Sequence, residues 1–100
     1  MQQTLDHVAA ALKKRGFHPQ SGPSTWAHFN VTVSFRPQDD SFRGHWTDGS
    51  LNEYVFFDFP PTDPEQCHLQ FVRLLQWVED RVKRTIVRWL ADEDDCPLAA

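Results

Sequence analysis

Residues 62–91 read TDPEQCHLQFVRLLQWVEDRVKRTIVRWLA, and the spacing of their apolar positions decides the kind of fold open to this chain. At about 100° per residue, Phe71, Leu75, Val78, Val82, Ile86 and Trp89 fall on one stripe, flanked by Leu74, Val72 and Leu90. That pattern predicts a long amphipathic helix laid against a core. Its start is marked: Thr62 or Asp63 can cap, Pro64 suits the first turn, and Glu65 or Gln66 can complete a capping box. Its end is expected near Ala91, because Asp92, Glu93, Asp94 and Asp95 would oppose the negative pole of the helix dipole. Away from the apolar stripe, Trp77 stands among Arg73, Arg81, Arg84 and Arg88.

Working back from this helix, a shorter one is expected from Thr4 to Arg15. Leu5, Val8, Ala9 and Leu12 recur at helical spacing, Lys13, Lys14 and Arg15 suit the C-terminal pole, and Gly16 supplies a left-handed cap. His18 to Thr25 carries turn chemistry and reads as a loop. From Trp26 to Arg36, Ala27, Phe29, Val31, Val33 and Phe35 alternate with Trp26, His28, Asn30, Thr32, Ser34 and Arg36, which predicts one strand with a core face and a wet face. Phe42 to Thr47 is a second strand, Asp48-Gly49 a hairpin turn, and Leu51 to Phe59 a third strand. This last one carries Tyr54 and Phe56 opposite Leu51, Val55, Phe57 and Phe59, so it is expected to be central or to offer its outer face for binding.

The expected fold is therefore α+β, a single domain of order α-β-β-β-α. A three-stranded antiparallel meander packs against a long C-terminal helix and a shorter N-terminal one. Positions 1–3 and 93–100 are expected to be flexible tails. The element order, with Gly22-Pro23 ahead of Phe29-Asn30-Val31-Thr32-Val33, resembles part of a double-stranded RNA-binding domain. Membership would imply lysines at the start of the last helix to grip phosphates. Asp63-Pro64-Glu65-Gln66-Cys67 stands there instead, and the family is set aside.

One hundred residues suffice for one core without staples. A net charge of −4 disfavours a protein whose main task is neutralising phosphates, although it leaves room for a local basic patch. No apolar run reaches the ~20 residues of a membrane span, and no secretory leader is expected, so the reading is cytoplasmic, with no membrane partner. In that setting Cys67 and Cys96 are read as thiols rather than a disulfide. His7, His18, His28, His45 and His68 lack metal-ligand spacing, so neither a metal nor another cofactor is expected; adjacent strands could bring only His28 and His45 together. Cys67 lies in the first turns of a helix, without an evident base to make it a nucleophile. Asp58, between Phe57 and Phe59, is expected to be exposed.

Two contact surfaces stand out. Arg73, Trp77, Arg81, Arg84 and Arg88 would span about 22 Å of one helix face, suited to an acidic protein or a phosphate track. The i,i+4 pairs Glu79–Lys83, Asp80–Arg84 and Arg88–Asp92 would partly neutralise it, and Arg73 and Arg81 could simply stack on Trp77. The second surface combines Asp39, Asp40, Asp48 and the tail from Asp92 to Asp95 with exposed Trp26, Trp46 and Tyr54, and suits a basic partner. With 13% aromatic residues and no catalytic constellation, the expectation is a small non-enzymatic protein-binding module. It would act as an inhibitor or adaptor on a larger protein or ribonucleoprotein complex. Size and charge liken it to phage and mobile-element counter-defence inhibitors such as anti-CRISPR proteins, an analogy carried by no motif. A homodimer through the long helix or open sheet face is a further expected form. The alternative is nucleic-acid binding along the basic helix face.

Overall fold

The computed structural model describes residues 2–20, 22 and 24–94, with side chains described between Thr4 and Leu90. Of the tails expected at 1–3 and 93–100, positions 2–3 and 93–94 are helical, whereas Met1 and 95–100, with Cys96, lie outside the described residues. The chain runs α1 (Gln2–Lys14), β1 (His18–Pro19), β2 (Thr25–His28), β3 (Val31–Arg36), β4 (Ser41–Asp48), β5 (Leu51–Asp58) and α2 (Pro64–Asp94). The five strands form one antiparallel sheet in the order β1-β2-β3-β4-β5. The α+β class and the two helices match expectation; the sheet has five strands where three were expected.

The difference has a local cause. The expected strand from Trp26 to Arg36 is a hairpin, in which His28 pairs with Val31 and Phe29-Asn30 forms a two-residue turn. Phe29 takes a left-handed φ of 52°. Folding back at this point moves Trp26 and His28 to the face that carries Val31 and Val33. Trp26 is therefore core, 5% exposed, while Phe29 is 42% exposed. The expectation that Trp26 is exposed and Phe29 buried is reversed. In the segment expected to be a loop, His18 and Pro19 pair with Ala27 and Trp26.

The third expected strand, β5, is at the sheet's edge rather than its centre. The hairpin before it turns at Gly49-Ser50, not Asp48-Gly49, since Asp48 pairs with Leu51. Gly49 at φ 63° supplies the positive first position that a II′-type turn needs.

Helix α1 ends as its sequence dictates. Gly16 takes φ 92°, and Phe17 N–H bonds back to Leu12 O at 3.0 Å, the closing bond of a Schellman cap. Helix α2 begins at the expected place, with Asp63 Oδ1 accepting from Gln66 N–H at 3.1 Å. It continues to Asp94 rather than stopping at Ala91. The dipole penalty of roughly 0.3–1 kcal/mol per acid is too small to end so long a helix.

Both helices cover one sheet face. Val8 and Leu12 of α1, Leu74 and Val78 of α2, and Phe17, Trp26, Val31, Val33, Phe42, Phe57 and Phe59 form a single buried cluster. Relative to the expected stripe, the buried face of α2 is rotated by about 60° toward Trp77 and Arg81. Gln70, Leu74, Val78 and Thr85 are buried, with Phe71, Trp77 and Val82 partly so, while Ile86, Trp89 and Leu90 are exposed. Length explains the exposed end. Thirty-one helical residues rise about 46 Å, whereas the eight-residue strands span about 27 Å, so α2 outruns the sheet.

Gly44 makes room for this rotation. A Cβ placed there would lie 2.5 Å from Trp77 Cζ3, so the indole occupies the notch that the glycine leaves on β4. Gly44→Ala is expected to lower unfolding stability by about 1–3 kcal/mol through this overlap, measured as a shifted urea midpoint with little change in slope.

Candidate interaction surfaces

The arginine and tryptophan residues singled out on α2 do not form one solvent stripe. Trp77 is partly buried against the core, and its Nε1 donates to Glu53 Oε1 at 2.9 Å. Arg81, 15% exposed at its side chain, grips the same carboxylate with Nε to Oε1 at 2.7 Å and Nη2 to Oε2 at 3.0 Å. Its guanidinium lies 5.6 Å from the Trp46 ring centroid and 5.8 Å from that of Trp77, held between two indoles. Trp46 Nε1 donates to Thr85 Oγ1 at 3.2 Å, and Thr85 Oγ1 in turn donates to Arg81 O at 3.0 Å. Glu53, on the helix-facing side of β5, is thus the anchor of a polar clamp between sheet and helix. Alternation with Leu51, Val55 and Phe57 puts it on the apolar face of this strand, a signal that the expected sites left unused.

The other arginines are largely committed. Arg88 pairs with Asp48 at the end of β4, and Arg84 pairs with Asp80 at 3.1 Å. Asp80 also meets Arg81. Glu79 is bonded by Arg15 of the α1 cap at 2.7 Å rather than by Lys83, tying the helices together. The side chain of Asp92 lies outside the described residues. Arg73 is exposed, with Gln70 Oε1 3.5 Å from its Nη1.

The acidic and aromatic set is dispersed as well. Asp39 and Asp40 sit in the β3–β4 turn, Asp39 paired with Arg36 at 3.2 Å and Asp40 at φ 48°. Asp48 lies at the far end of β4, about 24 Å away along the strand. Trp26 is buried, Trp46 belongs to the clamp, and Tyr54 alone of the three aromatics stands exposed, at 55%.

Two surfaces emerge instead. The outer sheet face carries Tyr54 and Phe56, with His45 stacked on Tyr54 at 4.3 Å, Arg43 over Tyr54 at 5.6 Å and Arg36 over Phe56 at 5.2 Å. Asp58 is exposed on that face. The end of α2 that outruns the sheet carries Ile86, Val87, Trp89 and Leu90, with Phe29 from the β2–β3 turn packed edge-on against Trp89 at 4.9 Å. A groove beside it is lined by Phe17, Val78, Val82, Ile86 and Val87, with Arg15, Glu79 and Lys83 at its rim.

The histidines do not converge. Among the described residues no group of three or more His, Cys, Asp or Glu side chains could hold a metal ion. His28 faces the sheet's helix side while His45 lies on its outer face, which separates that pair. Burial first, and then the charge of His18, push the His28 pKa down. Cys67 Sγ donates to Pro60 O at 3.0 Å. No described helix is long and apolar enough to cross a membrane. Comparisons of the chain with family models, with curated proteins and with solved structures find no match.

The clamp has a pH signature. Hydrogen bonds from Arg81 first, then from Trp77, hold the Glu53 carboxyl below its ordinary range against an opposing desolvation. A carboxyl depressed in the folded state binds fewer protons there than when unfolded, so its stabilisation is complete above the unfolded pKa. It is lost as pH falls through the folded one. Stability should decline on acidification below about pH 4.5, and Glu53→Gln should flatten that limb while lowering stability at neutral pH. Arg81→Ala, which strips the carboxylate of its charged partner, should cost about 1–3 kcal/mol at pH 7 in urea unfolding.

Proposed function

We propose that this protein is a small non-enzymatic binding module that acts by occupying a surface of a larger protein assembly, as an inhibitor or adaptor. Its principal contact is the apolar end built by Phe29, Ile86, Val87, Trp89 and Leu90. The observation that carries the reading is Phe29. A hairpin turn with positive φ favours glycine or asparagine, and a phenylalanine there carries both backbone strain and an exposed ring. Stability would be served better by a smaller residue. A ring held at this point, against Trp89 and beside three exposed aliphatic side chains, is suited to an external apolar partner.

The surroundings support a protein partner over a phosphate backbone. The arginines nearest this end, Arg84 and Arg88, are engaged with Asp80 and Asp48. The rim of the adjoining groove carries both signs of charge, Arg15 and Lys83 with Glu79. An apolar centre within a mixed polar rim is the anatomy of a protein interface.

Affinity capture from the native cytosol is expected to recover a stoichiometric partner with the unaltered chain and to lose it with Ile86→Asp combined with Leu90→Asp. These exposed positions should leave folding stability within ~0.5 kcal/mol. Phe29→Gly should weaken capture while holding or raising the melting temperature, since it relieves the left-handed strain. Absence of any stoichiometric partner at both low and physiological salt would overturn the reading.

A further inference from the structure

The two margins of the sheet are unequal. One is β1, two residues long and containing Pro19, which has no N–H to offer. The other is β5, eight residues without proline or lysine, paired among the described residues on one side only. Its outer-face side chains are unprotected, with Tyr54 and Phe56 55% and 50% exposed. Its one inward acid, Glu53, is already held by Arg81 and Trp77.

The hydrogen-bond polarity of this margin follows from its neighbour. Asp48 and Leu51 close a two-residue turn, and beyond the strand Phe59 N–H bonds to Asp40 O at 2.8 Å. Both place the peptide groups of the odd-numbered residues toward β4. Those of Asn52, Tyr54, Phe56 and Asp58 therefore face outward, where no further strand lies among the described residues.

We propose that two copies of this chain join by antiparallel pairing of their β5 margins about a two-fold axis at Val55. In that register Tyr54 of one copy meets Phe56 of the other, twice, and Val55 meets its own equivalent. Asn52 meets Asp58. The outward peptide groups then form about eight intermolecular hydrogen bonds, because even positions face even positions. The side chains suit the same register. Two aromatic cross-strand pairs form on the outer face, flanked by Arg43 and Arg36, which already stack on those rings. Asn52 has its Oδ1 3.1 Å from His45 Nε2, leaving its amide N–H groups for the Asp58 carboxylate. No like charges face one another across the axis. This contact is separate from the apolar end of α2 and does not rest on it.

Sedimentation equilibrium of the full chain tests the pairing. The unaltered protein is expected to be a dimer. Tyr54→Lys with Phe56→Lys, and separately Tyr54→Glu with Phe56→Glu, should each weaken dimerisation by about a hundredfold while leaving the circular dichroism spectrum unchanged. Mixing the two variants should restore a heterodimer, because each lysine then faces a glutamate. Hydrogen exchange on the unaltered chain gives a readout independent of any substitution. Protection of the Asn52, Tyr54, Phe56 and Asp58 amides should rise with protein concentration, while that of His18 stays constant. A monomer at every concentration, a dimer indifferent to the lysine pair, or concentration-dependent protection confined to 86–90 would each overturn it.

Discussion

The structure depends on one guanidinium. Arg81 reaches from α2 toward the sheet, lies between the indoles of Trp46 and Trp77, and is fastened by two bonds to Glu53. An apolar core is tolerant of small rotations of a helix about its axis, because buried area changes little when one aliphatic replaces another. A bidentate ion pair between two rings is not tolerant in that way. It sets the rotation of α2, and with it which side chains enter the core and which are left outside. Gly44 belongs to the same constraint, since the indole that donates to Glu53 needs the space above it.

The helices and the polarity of the meander could be read from the chain because each is signalled by short-range chemistry. Gly16 after a basic turn, Asp63 ahead of Pro64, and Gly49 between alternating stretches act within a few residues of where they stand, and the structure places a cap or turn at each. Two of the departures arise where a local pattern hides the face a side chain takes. Perfect alternation from Trp26 to Arg36 hides a hairpin because a two-residue turn preserves the count while exchanging the faces, and Phe29-Asn30 lacks the glycine that normally marks one. Trp77 and Arg81 were assigned to solvent because a guanidinium counts as polar in any periodicity, although its planar face and stem pack well against indoles. Only the acid on the opposing strand makes Arg81 an inward residue, and Glu53 is 28 positions away.

The same rotation redistributes the surface. Arginines that would have formed a basic track are drawn toward Asp48, Glu53 and Asp80, whereas aliphatics that would have been core at the end of α2 are left beyond the sheet. Buried side-chain polar atoms among the described residues all have partners, so the interior carries no unsatisfied polar side chain. What is left unsatisfied lies outside: an apolar helix end with Phe29, and a strand margin with half its peptide groups facing solvent.

The inequality of those margins has a bearing on how far the protein can associate. A sheet that is open on both sides can add copies without limit, and such growth ends in fibres. Here any assembly that consumes the long margin leaves only the proline-bearing two-residue one at either extremity. Growth through backbone pairing therefore terminates after a single step, and the short first strand sets the ceiling on polymer size.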